Sequence, residues 1–301
     1  MSAATAARRA RRAPAPLRAL KTKKLSRSTS GTVFLFLLLA VVGTFMALPM
    51  VLTISNAFKP LDELLLFPPR FFFRNPTLDN FADLFVLMQQ SWVPFSRYVF
   101  NTIFITGVGT VGHILLASAA AYPLAKNIFP GKNVLFSLIV LSLMFSPVVT
   151  AIPNFMVISW LGINNTYWAI ILPAFSSVLG LFLMKQFMEQ IPDSIIESAR
   201  IDGASEYYIG WRIVMPNVKP AWLTLAILMF QMLWGHTGGI FIRSEELKPL
   251  SFAMNQIALG GIARAGVGAA VMLVMMTVPI VFFIYSQSRV IETMTTSGMK
   301  D

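Results

Sequence analysis

The chain has 301 residues, of which 56% are hydrophobic and only 12% are charged, and its mean hydropathy is +0.68. A soluble domain has about a quarter charged residues, so this composition indicates a polytopic membrane protein. Because the chain contains no cysteine, a disulfide framework, a thiolate metal site and a cysteine nucleophile are excluded.

A basic tail precedes the first apolar segment. Nine of the 24 Lys and Arg residues lie within the first 27 residues, and the whole chain has a net charge of +11. This cluster favours a disordered cytoplasmic tail, residues 1–30, that fixes topology and contacts anionic lipid, over an arm that binds nucleic acid. A cleaved signal peptide is disfavoured because the apolar run from Thr32 to Ser55 is long and lacks a clear small-residue cleavage site.

Six apolar segments are long enough to cross a membrane as helices, since a helix needs about 20 residues to cross ~30 Å of hydrocarbon. They are residues 31–55, 98–122, 133–157, 165–187, 220–240 and 267–287. The sequence therefore predicts an all-α, polytopic membrane protein with six transmembrane helices. Within the third segment, Pro147 and Pro153 bracket a predicted interruption that can expose backbone groups to a cavity.

The distribution of basic residues orients these helices. With the N-terminus in the cytoplasm, the inside segments carry 17 Lys and Arg residues and the outside segments carry 7. This bias predicts, by the positive-inside rule, that both termini are cytoplasmic. Without the tail the bias is 8 to 7, weakly in the same direction.

A polar hairpin, residues 192–216, lies between the fourth and fifth predicted spans and therefore in the cytoplasm. Pro192 and Asp193 predict the start of a first helix, with Asp193 or Ser194 as the N-cap. Gly203 is expected to end this helix, because glycine accepts the positive φ of a tight turn.

The second arm of the hairpin follows the Asp202–Gly203 turn. Ser205 is expected to cap a short second helix, which Pro216 is expected to stop. A simple connecting loop, whose charges are only solvated, is the alternative. Two capped helices with exposed aromatic residues are more than a connection needs, so the hairpin is interpreted as a partner-binding site.

The spacing within this hairpin carries a family resemblance. It reads Glu197-Ser198-Ala199, three residues, Gly203, nine residues, Ile213, one residue, Met215-Pro216. This resembles the Glu-Ala-Ala, Gly, Ile and Leu-Pro signature of the permease subunits of bacterial binding-protein-dependent ABC importers. Ser198 and Met215 depart from the signature, and both are small or volume-conserving changes.

The resemblance extends over residues 31–301, read as one permease domain, and points to the smaller permease of maltose-type carbohydrate systems. Four segments carry it: "SNAFKPLDELLLFPP", "PTLDNFADLF", "NTYWAIILP" and "MKQFMEQIPDSIIESARIDGAS". The segment Phe230–Leu250 departs from that branch, where a Trp-Asn-type turn is usual. The resemblance implies import of a mono-, di- or oligosaccharide across a bacterial cell membrane.

In this family the hairpin is a coupling helix that sits in a cleft of an ATPase subunit. The resemblance implies that Glu197 pairs with a partner Arg, while small residues permit close approach. The implied ATPase-coupling residues are Glu197, Ser198, Ala199, Asp202, Gly203, Ala204, Ile213, Met215 and Pro216. The C-terminal residues 295–301 resemble a tail that reaches towards the ATPase interface, and a frayed terminus is the alternative.

The implied partners are a second, different permease subunit, two ATPase subunits, an extracytoplasmic solute-binding protein and the lipid bilayer. The chain has no G-x-x-x-x-G-K-[ST] loop, so it is expected not to be an enzyme. ATP and Mg are expected in the ATPase subunits, with no cofactor and no metal in this chain. The Phe- and Pro-rich residues 59–97 suggest interfacial packing, a surface for the binding protein, or both.

A sugar path should combine planar polar groups with aromatic faces near the membrane midplane or its outer half. The candidate residues are Asn154, Phe155, Gln231, Trp234 and His236. For Phe155 and Trp234, helix packing or an interfacial aromatic belt is an equal alternative. In maltose-type importers most substrate contacts are expected from the other permease.

His113, near the middle of the second span, is the clearest ionisable residue within the membrane. A neutral imidazole that shares a hydrogen bond with a neighbouring helix is favoured over a transport role.

An ion-coupled secondary transporter is disfavoured, because the six segments contain no carboxylate. A glycerol-phosphate importer is a second alternative, disfavoured because no Lys or Arg lies deep in a span. A membrane enzyme or scaffold is disfavoured because His, Asp and Glu form no cluster at a common depth.

Overall fold

The computed structural model describes residues 29–261 and 264–297, with side chains described as far as Gln287. The predicted tail therefore lies almost entirely outside the described residues, as does most of the C-terminal segment 295–301. All regular structure in the described ranges is helical.

The helices follow one another along the chain with short connections. They are α1 Thr29–Ala57, α2 Leu61–Leu64, α3 Asp79–Gln89, α4 Phe95–Lys126, α5 Lys132–Ser142, α6 Pro147–Trp160, α7 Trp168–Phe175, α8 Val178–Glu189, α9 Asp193–Ile201, α10 Glu206–Tyr208, α11 Met215–Asn217, α12 Lys219–Trp234, α13 Leu250–Ala258 and α14 Ala265–Ser297. A π-helical turn, Ile209–Val214, joins α10 to α11, and a 3-10 turn, Glu245–Leu247, precedes α13.

Among the described residues, four helical stretches are long and apolar enough to cross a membrane: Ser30–Ala57, Phe95–Lys126, Trp168–Glu189 and Ala265–Gln287. Two further pairs qualify only if each bent pair counts as one span, α5 with α6 and Glu206–Asn217 with α12. The chain is thus a multi-pass membrane protein with four to six spans, and the coarse prediction of an all-helical membrane fold is confirmed.

The third predicted span is broken, and the break lies before Pro147, not between Pro147 and Pro153 as predicted. The axes of α5 and α6 differ by 110°. Proline disfavours helical backbone at the residue before it, and Ser146 is extended at ψ 141°. Its hydroxyl accepts a 3.4 Å hydrogen bond from the Val148 N–H, which begins the new helix. Pro153 lies within α6.

The fifth predicted span, 220–240, extends too far. The helix α12 ends at Trp234, and the chain then turns through Gly238 and Gly239, whose φ values are +84° and +49°. Non-glycine residues adopt such values rarely, so Gly238 and Gly239 prevent the helix from continuing to residue 240. The residues from Trp234 to Phe241 include apolar side chains on both sides of the turn. The average hydropathy therefore stayed high, and the predicted span ended too late in the sequence.

The chain separates into two units, one ending at Met50 and one beginning at Val51. The described part of the first unit is the N-terminal stretch of α1, which exposes its apolar side chains. In the second unit α4 packs against α7, α8 and α12, and α12 also packs against α14. Since α4 also packs against α13, it joins four other helices of this unit.

His113 on α4 is completely buried, and its Nδ1–H donates to the Phe175 carbonyl at 3.1 Å. This contact agrees with the packing interpretation of His113, a hydrogen bond to a neighbouring helix. A Cβ on Gly180 of α8 would overlap the His113 ring, so Gly180 is what lets α8 approach α4 this closely.

Candidate functional site

The hairpin predicted for residues 192–216, which extends to Asn217 in the structure, has the predicted two-armed form. Its first arm is α9, and the second runs through α10 and the π-helical turn to α11. Gly203 makes the turn between the arms with φ +81°, a value that glycine adopts without steric cost. The Ser205 hydroxyl accepts a 3.3 Å hydrogen bond from the Tyr208 N–H, so the predicted cap of the second arm is confirmed.

Two local predictions for the hairpin are wrong. Asp193 is the first residue of α9 and Pro192 occupies the N-cap position, so neither Asp193 nor Ser194 caps the helix. Pro216 does not stop the second arm, which continues to Asn217 and breaks at Val218, where φ is −97° and ψ is +25°. Pro216 directly follows the π-helical turn Ile209–Val214, in an arm that stays helical from Glu206 to Asn217.

A polar network joins the two arms of the hairpin to α4. The Glu206 carboxylate accepts the Tyr122 hydroxyl at 2.6 Å with one oxygen and the Arg200 Nε–H at 2.6 Å with the other. Glu206 belongs to the second arm, Arg200 to the first and Tyr122 to α4. One carboxylate therefore connects the three elements through charge-assisted hydrogen bonds.

A second ion pair fixes the start of the hairpin. Lys126, the last residue of α4, donates to the Asp193 carboxylate at 2.7 Å and to the carbonyl oxygens of Glu189 and Ile191. The hydrogen bond from Lys126 lowers the pKa of the Asp193 carboxyl. Since three acceptors converge on one ammonium group, the segment between α8 and α9 is held against the end of α4.

Beneath these contacts the hairpin is anchored by an apolar cluster. The buried hairpin residues Ile196, Ala199, Ile209 and Val214 pack in the same core as Met184 and Met188 of α8 and Ala117 and Ala121 of α4. Burying the isoleucine, valine and methionine side chains of this cluster contributes about 1.5–3 kcal/mol each. The hairpin is therefore part of the helical core and not a mobile appendage.

The outer surface of the hairpin, by contrast, is open and partly apolar. Ile201 is 86% exposed and Tyr207 is 77% exposed, and Glu197 is exposed on the same arm as Ile201. An open pocket of about 570 Å³ lies between the arms, lined by Ala199, Asp202, Gly203, Ala204, Ser205, Tyr208 and Ile213. Exposed large apolar groups beside a pocket of small residues are typical of a protein-binding site.

The predicted coupling residues divide into two groups. Glu197, Ser198, Asp202, Gly203 and Pro216 are exposed. The other four, Ala199, Ala204, Ile213 and Met215, pack in or against the apolar cluster. Ile213 and Met215, which the resemblance implies as coupling residues, are thus partly buried against the chain's own core.

Sequence reasoning missed Tyr122, Lys126 and the bridging role of Glu206. Arg200 and Glu206 flank the Asp202–Gly203 turn, so their opposite charges could have indicated an ion pair across the hairpin. Tyr122 gave no such indication, because it is 84 residues from Glu206 and inside an apolar segment.

Replacing Glu206 by alanine is expected to increase hydrogen exchange in the hairpin. The change removes both the acceptor of Tyr122 and the partner of Arg200, and loss of about 1 kcal/mol corresponds to about fivefold faster exchange. Exchange of the backbone amides in residues 193–217 can be measured by mass spectrometry on the chain in lipid nanodiscs. Glu197→Ala, at an exposed carboxylate of the same hairpin, is the control; equal exchange in both variants would show that the network does not hold the hairpin.

The contacts of the predicted sugar-path residues differ from one residue to another. Asn154 and Gln231 are exposed, and the Phe155 ring lies 6.2 Å from that of Phe241. The Trp234 indole N–H donates to the Met275 carbonyl of α14 at 3.0 Å, and it therefore joins α12 to α14.

His236 lies beyond the end of α12, and its Nδ1 accepts the Gly238 N–H at 3.0 Å within the glycine turn. Trp234 and His236 therefore both have structural contacts, which favours packing for these two. The role of all five residues in sugar transport stays a prediction. In the described residues no group of three His, Asp or Glu side chains is placed to hold a metal ion.

A family model and curated relatives of this chain indicate the same protein family. Residues 113–295 match the model of the binding-protein-dependent transport system inner membrane component. Protein LplC of Bacillus subtilis is 34% identical over 230 residues, 74% of each chain. The arabinooligosaccharides transport system permease protein AraQ of Halalkalibacterium halodurans is 30% identical over 276 residues, 88% of this chain and 94% of AraQ.

Among solved structures, a chain of a bacterial ABC transporter involved in the import of the acidic polysaccharide alginate has a similar fold. The TM-score is 0.72 at 20% identity, and the match covers 87% of this chain and 98% of the other. At this level of identity the likeness is one of fold alone.

Proposed function

Since the chain belongs to the family of inner membrane components of binding-protein-dependent transport systems, we propose that it is a permease subunit of an ABC importer for a sugar. The domain that we assign to this function is residues 31–301. The hairpin of residues 192–216 is the proposed coupling element, which docks on a separate ATPase subunit. ATP and Mg are held by that ATPase, and this chain needs no cofactor of its own.

The proposal rests chiefly on the combination of a fixed hairpin with an open outer face. The network around Glu206 and the apolar cluster fix both arms to α4 and α8. A force applied to the exposed face would therefore be passed to these helices, as coupling to an ATPase requires. A solvated connecting loop would need neither the buried anchor nor the exposed Ile201 and Tyr207.

The proposal includes the orientation of the chain in the membrane and its partner subunits. We place both termini and the hairpin in the cytoplasm, in agreement with the bias of basic residues. The chain would form a heterodimer with a second permease, bind two ATPase subunits, and receive substrate from an extracytoplasmic binding protein. ATP binding would supply the differential free energy that moves the two permeases between inward-facing and outward-facing states.

A neutral mono-, di- or oligosaccharide is the proposed substrate. The similarity to a permease named for arabinooligosaccharides supports this class. Glycerol phosphate would favour a basic pocket within the spans. Lys185 is the one buried lysine of the described span Trp168–Glu189. It lies close to the hairpin and is already paired with Glu189 at 2.7 Å, so it gives no support to such a pocket.

The test of this function is co-purification of the tagged chain from its native membrane, followed by mass identification of the retained chains. We expect an ATPase and a second permease with the wild type, and less ATPase with Glu197→Lys, because the reversed charge would repel a partner arginine. Asp83→Lys is the matched control, because Asp83 is an exposed carboxylate of α3, outside the hairpin.

Retention of ATPase by the Asp83 variant and its loss with the Glu197 variant would support both the importer and its docking site. Sugar-stimulated ATP hydrolysis by the recovered complex would then identify the substrate, with glycerol phosphate tested alongside. A wild-type chain that transports alone, with no ATPase, would overturn the proposal in favour of secondary transport.

A further inference from the structure

The loop between α2 and α3 exposes an unusual set of aromatic side chains. In this aromatic loop, residues 65–74, Phe67 is 95% exposed and Phe72 is 66% exposed. Leu65, Leu66 and Phe73 are exposed as well. Leaving several large apolar side chains in water is unfavourable by about 1.5–3 kcal/mol each relative to burial, so the surface is expected to have a partner.

Two buried charged residues hold this loop in place from below. The Glu63 carboxylate accepts the Arg74 N–H at 3.0 Å and the Asn75 N–H at 2.9 Å. The hydrogen bond from Arg74 is the main reason that the pKa of Glu63 is lowered. The Lys59 ammonium donates to the Arg70 carbonyl at 2.6 Å and to Asn56 Oδ1 at 2.8 Å, and burial lowers its pKa.

The segments on either side of the loop are joined by further contacts. The Thr77 N–H donates to the Phe58 carbonyl at 2.9 Å, and the Asn80 amide donates to the carbonyls of Ala57 and Lys59 at 2.9 and 2.8 Å. The Phe58 ring lies 6.3 Å from that of Phe73. Because its backbone is fixed at so many points, the loop presents Phe67 and Phe72 in a defined place instead of collapsing over them.

The position of the loop indicates what covers it. The candidate span Ser30–Ala57 ends eight residues before the loop, and Lys59 and Glu63 of the intervening segment are tied to it. The loop therefore lies close to the boundary of the membrane. It carries two exposed basic residues, Arg70 and Arg74, and no acidic residue, which matches the negative charge of lipid phosphates.

We propose that the aromatic loop is an interfacial membrane anchor, with Phe67 and Phe72 inserted at the headgroup boundary and Arg70 and Arg74 contacting lipid phosphates. Aromatic and leucine side chains bury their apolar surface at this depth, while arginine reaches the headgroups. The anchor would hold the start of α3 at a fixed depth. The proposal does not depend on which substrate the importer carries.

The absence of cysteine allows a direct test by site-directed spin labelling. The full chain with Phe67→Cys, and separately with Phe72→Cys, is labelled with a nitroxide in nanodiscs of phosphatidylcholine and phosphatidylglycerol. Collision with oxygen, which concentrates in lipid, is compared with collision with a water-soluble nickel chelate. Phe45→Cys, on an exposed apolar position of α1, is the lipid reference, and Arg243→Cys, on an exposed loop position, is the water reference.

We expect the labels at 67 and 72 to favour oxygen over nickel, as the label at 45 does. Adding Arg70→Gln and Arg74→Gln should raise the nickel collision rate at position 67 about fivefold or more, since each basic contact with anionic lipid favours the bound position. Nickel collision as frequent as at position 243 would overturn the proposal. Shielding from both reagents would also overturn it, and would point to a protein partner on this loop.

Discussion

Gly203→Trp is expected to leave the chain in the membrane but to prevent it from retaining an ATPase subunit. Gly203 forms the exposed turn of the hairpin, and a Cβ there meets no atom of the described residues within 4 Å, its two chain neighbours aside. The new side chain therefore has room beside the described residues, and it would stand at the pocket between the arms where we propose that the ATPase docks. Loss of a central interface contact costs about 2 kcal/mol or more, about 30-fold in affinity.

The φ of +81° at Gly203 calls for a control, because any side chain other than glycine is strained there. Gly203→Asn provides it, since asparagine tolerates positive φ better than other residues and is much smaller than tryptophan. We expect Gly203→Asn to retain the ATPase far better than Gly203→Trp in the same co-purification. Equal retention by Gly203→Trp and the wild type would rule out the turn as part of the docking site.

Gly180→Ala is expected to destabilise the whole membrane domain. The added methyl group would overlap the His113 ring, which is completely buried and held by its hydrogen bond to the Phe175 carbonyl. Neither the ring nor α8 can move without disturbing the contact between α4 and α8. Overpacking of this kind costs about 1–3 kcal/mol, and it should lower the thermal unfolding midpoint of the purified chain.

Gly107→Ala on α4 is the matched control for this prediction. Beyond its own helix backbone, a Cβ on Gly107 meets nothing within 4 Å in the part of the chain that the structure describes, and alanine favours helix over glycine by about 1 kcal/mol. We expect the control to unfold at or above the wild-type midpoint. If Gly180→Ala is as stable as the control, the close approach of α8 to His113 is not a tight contact in the membrane.

The local features of the hairpin could be predicted because each depends on neighbouring residues. Gly203 makes its turn for a reason that any Asp-Gly pair shares, and Ser205 caps the residues that follow it. The same local reasoning failed at Pro216. Proline cannot donate a backbone hydrogen bond, yet the arm stays helical through Pro216, which directly follows the π-helical turn Ile209–Val214. Such a local change of helix type is not indicated by the position of a proline in the sequence.

The membrane spans also have some features that could be predicted from the sequence and others that could not. Hydropathy located four of the predicted spans in the described residues as single long apolar helices, because it depends only on composition over about 20 residues. At the third and fifth predicted positions the structure has bent helix pairs that qualify only if each pair counts as one span. Hydropathy could not show that the third segment bends by 110° before Pro147 or that α12 ends at Trp234. The bend before Pro147 follows from the extended backbone of Ser146, and the turn after α12 follows from the backbone of the glycines beyond Trp234. An average of hydropathy contains no information on backbone conformation.

The sequence by itself determined the helical membrane class and the place of the exposed hairpin, since composition and short-range spacing suffice for both. Only the tertiary structure decided what fixes that hairpin and what fixes the aromatic loop. Tyr122 meets Glu206 across 84 residues, and Gly180 meets His113 across two helices. Such contacts arise from the packing of helices that are remote in the chain, and no single segment specifies them.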